Sequence, residues 1–209
     1  MNTQRWLQKS RVLSEKHILL VGMGVLGTLL CFAVPRQRTS ALGQKGDDLG
    51  PVSVRTYGAK GDGTTDDTGA FQRAINASED LFVPKGNYVI TKSLELRDNQ
   101  KITLSPSANL KWRSDKTGQS LFYIHNVENV VVEGGVIDGE HDKNPTGTLG
   151  GIWIGGNSRR ITIKDTWIKN MPSNNEKGYY LGDGIYIGSA TGETKFPHNI
   201  LITGVCLEN

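Results

Sequence analysis

One phrase recurs along the chain. GIWIGG (residues 151–156) and GIYIGS (184–189) set Gly, Ile, a ring, Ile and Gly in the same order, 33 residues apart. LFYI (121–124) is an earlier member, 30 residues before the first of these. A second class of phrase follows each one: NVVVEGGVIDG (129–139), RITIKDTWIKN (160–170) and NILITGVCLEN (199–209), with KITLSPSANLKW (101–112) as an older copy. Each holds a β-branched triplet, a polar or glycine kink and a further apolar pair. Strand phrases repeated at this period predict an all-β solenoid, because no single coil can bury its own apolar face and stacking must supply the core. The bends fall at Glu133–Gly135, Lys164–Thr166 and Thr203–Gly204. The 26 glycines of the 209 residues suit many short strands and turns.

Side chains alternate along a strand, so Phe122, Ile124, Ile152, Ile154, Ile185 and Ile187 face inward. Tyr123, Trp153 and Tyr186 then face outward and stack at about 4.8 Å per coil. Such a ladder of rings is a platform for the apolar C–H faces of pyranose sugars, and these three residues are the candidate substrate contacts. The plainer alternative is good β-forming cover for the sheet, or rings lying beneath a loop.

Ahead of the repeats, Val52, Val54 and Thr56 alternate with polar residues and predict a short strand. A glycine-rich turn follows, then a helix capped by Thr65, Asp66 or Asp67 and carrying Ala70, Phe71, Ala74 and Ile75 on one stripe to about Ala77. LFVPKGNYVI (81–90) reads as two strands about Pro84–Gly86. Asp62, Asp66 and Asp67 also invite a calcium reading, but they lack the ligand spacing of an EF-hand, and capping explains the same residues.

YGAKGDGTTDDTGAFQRAI (57–75), LFVPKGNYVI, GGVIDGE (134–140) and GDGIYIG (182–188) together resemble the pectate-lyase-like right-handed parallel β-helix superfamily. The resemblance is to the branch of rhamnogalacturonases, polygalacturonases, epimerases and phage tail-spike proteins. It covers about residues 52–209. It implies a right-handed parallel β-helix with an N-terminal capping helix, acting on or binding an acidic or complex polysaccharide. In polygalacturonase-like members an Asp before a Gly-Ile pair is catalytic, and Asp183 stands there. Glycoside hydrolysis needs a second carboxylate. The preceding Asn-Thr of the pattern is Leu181-Gly182 here, and its later Asp, His and Arg-Lys are absent. Lyase chemistry would need a base with carboxylates or calcium to neutralise a uronate, and no such set is complete. Asp183 therefore also reads as a strand-start turn residue. Asp138, His141 and Asp142 are expected on a loop overhanging the ring face, open to acid–base or metal roles, with plain solvation the simpler reading. The sequon Asn76-Ala77-Ser78 matters only in a eukaryotic secretory host.

The chain's basic excess sits at the front. Residues 1–38 carry +5 and the remainder −2, which argues against a nucleic-acid partner. ILLVGMGVLGTLLCFAV (18–34) is a run of 17 uncharged residues. As a helix it spans roughly 26 Å, against a membrane core of about 30 Å. It reads as a signal peptide or an uncleaved membrane anchor (residues 1–35), followed by a linker (36–50) and a β-helix domain (51–209) outside the cytoplasm. Cys31 lies in the leader and Cys206 near the end, so no disulfide framework is implied. The last coil stops in mid-phrase at CLEN. Truncation is the preferred reading of that ending. A partner or trimer mates over the open coil, or a short binding module, are the other two.

Overall fold

The computed structural model describes residues 50–114, 116, 118–140, 150–172, 184–189 and 192–208. The leader and linker lie outside them. Among the described residues no helix is long and apolar enough to cross a membrane.

The chain opens with β1 (Val52–Ser53), a 3-10 turn (Val54–Tyr57), β2 (Asp62–Asp66) and α1 (Thr68–Ala77). The expected strand over Val52–Thr56 is cut short. Ser53 Oγ accepts the Arg55 N–H and turns the chain into the 3-10 helix, which Gly58 closes at φ +96°. Then follow β3 (Asp80–Val83), β4 (Gly86–Ile90), β5 (Leu94–Glu95), β6 (Lys101–Trp112), β7 (Ser120–His125) and β8 (Glu128–Asp138). The remainder is β9 (Gly150–Gly155), β10 (Arg159–Lys164), β11 (Trp167–Lys169), β12 (Ile185–Ile187), β13 (His198–Thr203) and β14 (Cys206–Glu208).

The strand pairings are parallel. One sheet runs β1-β3-β6-β8-β10-β13, with a second limb through β2, β4, β11 and β14; the other is β5-β7-β9-β12. This is a parallel β-helix. Its coils turn at the sites expected from sequence: Gly134, Asp165 and Gly204 all have positive φ, at 80°, 53° and 61°. Gly134 has a strict requirement, because a Cβ there would lie 2.3 Å from the Leu104 carbonyl oxygen.

Stacking builds the core as columns. Leu81, Ile102, Val132 and Ile163 pair in sequence on the first sheet, and each is almost wholly buried. Leu94, Phe122 and Ile152 do the same on the second. Each such side chain removes apolar area from water worth roughly 2 kcal/mol. Ile187, Ile202 and Leu207 continue three columns in the last coil and stand 41–61% exposed. At the other end α1 lays Phe71, Ala74 and Ile75 over the first coil, where all three are buried.

Candidate functional site

The second sheet carries the rings. In register across its four strands stand Glu95, Tyr123, Trp153 and Tyr186. Alternation explains the placement, since Phe122, Ile124, Ile152 and Ile154 are fully buried on the opposite face. The ladder is nevertheless not an open platform along its length. Tyr186 is 37% exposed, Tyr123 is half-buried and Trp153 is only 7% exposed.

The reason lies two residues beyond each ring. A Cβ on Gly155 would sit 2.8 Å from Trp153 Cζ2, and one on Gly188 would sit 2.9 Å from Tyr186 Oη. Each ring leans along its own strand and lies over a glycine. The terminal Gly of each repeated phrase is thus the bed of its aromatic. In the Tyr123 coil the equivalent position is His125, so two rings meet there. Tyr123 and Trp153 lie 4.5 Å apart between centroids; His125 lies 5.4 Å from each and stacks on Trp153 with planes 15° apart. Trp153 Nε1 has no hydrogen-bond partner among the described residues.

His125 is held from both sides. Its Nε2 is 2.7 Å from Glu193 Oε1, and its Nδ1 is 3.2 Å from Asn126 Nδ2. Asn126 Oδ1 accepts the Asn157 backbone N–H at 2.8 Å, which orients the amide so that its NH2 faces the imidazole. Nδ1 is therefore the acceptor, and Nε2–H donates to Glu193. Gly156 makes this approach possible; a Cβ there would lie 2.3 Å from Asn126 Oδ1 and 2.9 Å from His125 Nε2. Segment 192–195 thereby lies against the Asn126 turn and borders an open cleft of about 230 Å³ lined by Asn126, Gly156, Glu193, Thr194 and Lys195. Burial raises the Tyr123 phenol above its ordinary pKa, and the nearby Glu193 and Glu95 carboxylates add to the effect. Tyr123 is a hydrogen-bond donor at neutral pH, not a phenolate base.

Asp183, His141 and Asp142 lie outside the described residues. Asp138 stands on the first sheet, in register with Lys111 and Lys169, where it accepts from the Glu140 N–H and the Asn170 side chain. Of the three acidic-loop carboxylates, Asp66 alone reaches the first turn of α1, and the other two hold the loop before it. Asp62 accepts from Thr64 and Thr65, and these bonds hold its carboxyl below the usual range. Asp66 accepts from Thr68 and Thr91. Asp67 occupies the cap position of α1 but spends its carboxylate on the Lys60 and Gly61 N–H groups. Sequence reading missed His125, Glu193 and Glu95. His125 sits two residues after Tyr123, so alternation alone places it on the ring face. Glu193 lies between repeats and carries no such signal.

A family model, rhamnogalacturonase A/epimerase, pectate lyase-like, matches residues 51–208. The chain belongs to this family. The pre-neck appendage protein of Bacillus phage phi29 is 38% identical over 112 residues, covering 50% of this chain and 13% of that protein. A polygalacturonase of Arabidopsis thaliana is 35% identical over 96 residues, 40% of this chain and 22% of the relative. The chain thus spans less than a quarter of these curated relatives. Among solved structures, the iota-carrageenase of A. fortis superposes with a TM-score of 0.60 at 21% identity, over 82% of this chain and 37% of the other. The Streptococcus pneumoniae surface adhesin PfbA gives 0.60 at 20% identity, over 75% and 48%. At those identities the likeness is one of fold.

Proposed function

We propose that this family member is an extracytoplasmic polysaccharide-active protein whose ligand lies across the outer face of the second sheet. The observation that carries this reading is the in-register column of Tyr123, Trp153 and Tyr186, flanked by the His125–Glu193 pair. Ring faces take the C–H surfaces of a sugar, while the Tyr123 and Tyr186 phenols take its hydroxyls. One coil, about 4.8 Å, is close to the advance of one pyranose along an extended chain. Acidic polysaccharide is the substrate class that the family resemblance favours. Asp183, just before β12, is the single catalytic candidate, and calcium is the one cofactor that a lyase mode would call for. In this reading residues 1–35 deliver the domain across a membrane and 36–50 form the tether.

The second reading is a non-catalytic carbohydrate-binding or surface module, for which a trimer or a partner over the last coil is a natural setting. Its support is the relatives named as a phage appendage and a surface adhesin. One assay separates the two. The full chain is incubated with pectate, rhamnogalacturonan and alginate, with and without calcium, while ultraviolet absorbance of unsaturated uronate ends and reducing-sugar release are followed. Absorbance means a lyase, and reducing ends without absorbance mean a hydrolase. Silence in both with measurable affinity means a binding module, and silence with no affinity sinks the carbohydrate reading.

A further inference from the structure

The ring column does not end at Tyr123. Glu95 continues it in register, and Glu95 also borders a groove of about 510 Å³ between α1 and the first coil of the second sheet. Gln72, Asn76, Lys92, Ser93 and Gln119 line the same groove. Its character differs from that of the ring face. Its described lining has no rings; the Asn76 and Gln119 amides, the Thr68 and Ser93 hydroxyls, the Lys92 ammonium and the Glu95 carboxylate supply donors and acceptors, while both Gln72 amide hydrogens stay inside the frame.

The groove is also rigidly framed. Gln72 Nε2 donates to the Glu95 carbonyl and Gln72 Oε1 accepts the Glu95 N–H, at 3.1 and 3.0 Å. This two-way bond ties the cap helix to the first strand of the ring sheet and fixes the groove's width. Asn76 Oδ1 accepts a second hydrogen from the same Gln72 amide at 3.1 Å.

Resting on the carbohydrate reading of the ring face, we propose that this groove is a further saccharide subsite, taking the pyranose one step beyond Tyr123 through its hydroxyls. Contiguity argues for it, since a sugar chain advancing one residue per coil reaches Glu95 next and then the groove. Charge decides how that pyranose is recognised. Lys92, the one cation of the described lining, shares the groove with the Glu95 carboxylate. Its positive charge is therefore offset, and the groove offers no net attraction to a uronate carboxylate. Amides beside one ammonium and one carboxylate suit vicinal hydroxyl pairs instead.

Side-chain amide resonances make the test direct. The full chain, labelled with nitrogen-15, is titrated with trigalacturonate, hexagalacturonate and the neutral, fully methyl-esterified hexagalacturonate. The Trp153 indole N–H reports the ring face; the side-chain NH2 groups of Gln72, Asn76 and Gln119 report the groove. The trimer is expected to shift Trp153 alone, and both hexamers to shift Trp153 and the groove amides together. Hexamers that shift Trp153 but leave the groove amides still would overturn the subsite and spare the ring-face reading. If only the acidic hexamer shifts the amides, recognition through hydroxyls is wrong. If Trp153 also stays still with every sugar, the ring-face reading fails and the subsite fails with it. As a second check, Lys92→Ala and Gln119→Ala are expected to lower hexamer affinity about threefold to tenfold while leaving trimer affinity unchanged.

Discussion

The two sheets obey one rule inside and two different rules outside. Inward, both stack matched apolar columns. Outward, the first sheet stacks charges. Glu133 lies between Lys101 and Lys164 in neighbouring coils, at 3.3 and 2.7 Å, and also accepts from Thr103. Glu140 accepts from both Lys111 and Arg113. Glu128 pairs with Arg159 and Arg160. The outward groups of that sheet are largely engaged with one another across the coils. The second sheet instead presents rings over glycines, with the His125–Glu193 pair beside them. A face whose polar groups already satisfy each other has little to offer a ligand. A face of partly exposed rings, Tyr186 above all, has more. The difference separates the surface that ties the coils together from the surface on which a ligand is proposed.

The contrast can be broken most severely at the glycines. Gly134→Ala drives a Cβ into the Leu104 carbonyl oxygen, where only backbone can yield. The expected loss is about 3 kcal/mol or more of unfolding free energy in a denaturant titration. Gly155→Ala meets the edge of the Trp153 ring at 2.8 Å and the Gly188 carbonyl oxygen only at 3.1 Å, a milder clash with backbone. It is expected to cost only about 1 kcal/mol and to expose the indole to a fluorescence quencher. Equal costs at the two sites would erase the distinction between the sheets.

Tyr186→Ala should weaken polysaccharide affinity about tenfold, some 1.4 kcal/mol. Because Tyr186 is exposed, it should leave the unfolding midpoint within about 0.5 kcal/mol of the parent. A destabilised but fully binding variant would assign the ring to structure.

Acid tests the ionic face. The Lys164 hydrogen bond, outweighing burial and joined by Thr103 and Lys101, lowers Glu133 from 4.5 to about 2. For Glu140 burial acts upward, yet bonds from Arg113 and Lys111 prevail and also bring it to about 2. A carboxylate depressed on folding stabilises above its unfolded pKa, and that stability drains away as pH falls from about 4.5 towards 2. Glu133→Gln is expected to cost about 1 kcal/mol at neutral pH and to flatten the acid limb of the stability curve. An unchanged limb would mean that the ladder contributes nothing.

The smallest effect is expected at a turn. Asn99, Asn129 and Asn199 adopt positive φ near 60°, and Arg160 takes the same conformation at 56°. Asn tolerates this region better than Arg. Arg160→Asn should raise stability by up to about 0.5 kcal/mol, because relief of backbone strain outweighs the exposed pair with Glu128. Loss of stability would show that the ion pair matters more than the turn.

Much of this was readable in advance. The repeat of GIWIGG and GIYIGS predicted the solenoid, the inward and outward faces and the register of the ring column, because parallel stacking brings equivalent positions together. The bends at Gly134, Asp165 and Gly204 followed from the same comparison. The helix from Thr68 followed from capping and stripe. Legibility stopped where contacts leave the repeat. Nothing in TGETKFP (191–197) announces that Glu193 will reach His125, 68 residues earlier. Nor does Asp138 reveal by spacing that it serves a ladder between Lys111 and Lys169 instead of the ring face.

Sequence by itself determined the coil, its period and which residues share a face, since those depend on backbone periodicity and on burying apolar columns. Tertiary structure alone decided how much of each ring remains open, because exposure depends on what leans across it. Trp153 and Tyr186 occupy the same place in the same phrase, yet one is 7% exposed and the other 37%. Trp153 lies between Tyr123, His125 and the next strand, whereas β12 is the outermost strand of its sheet.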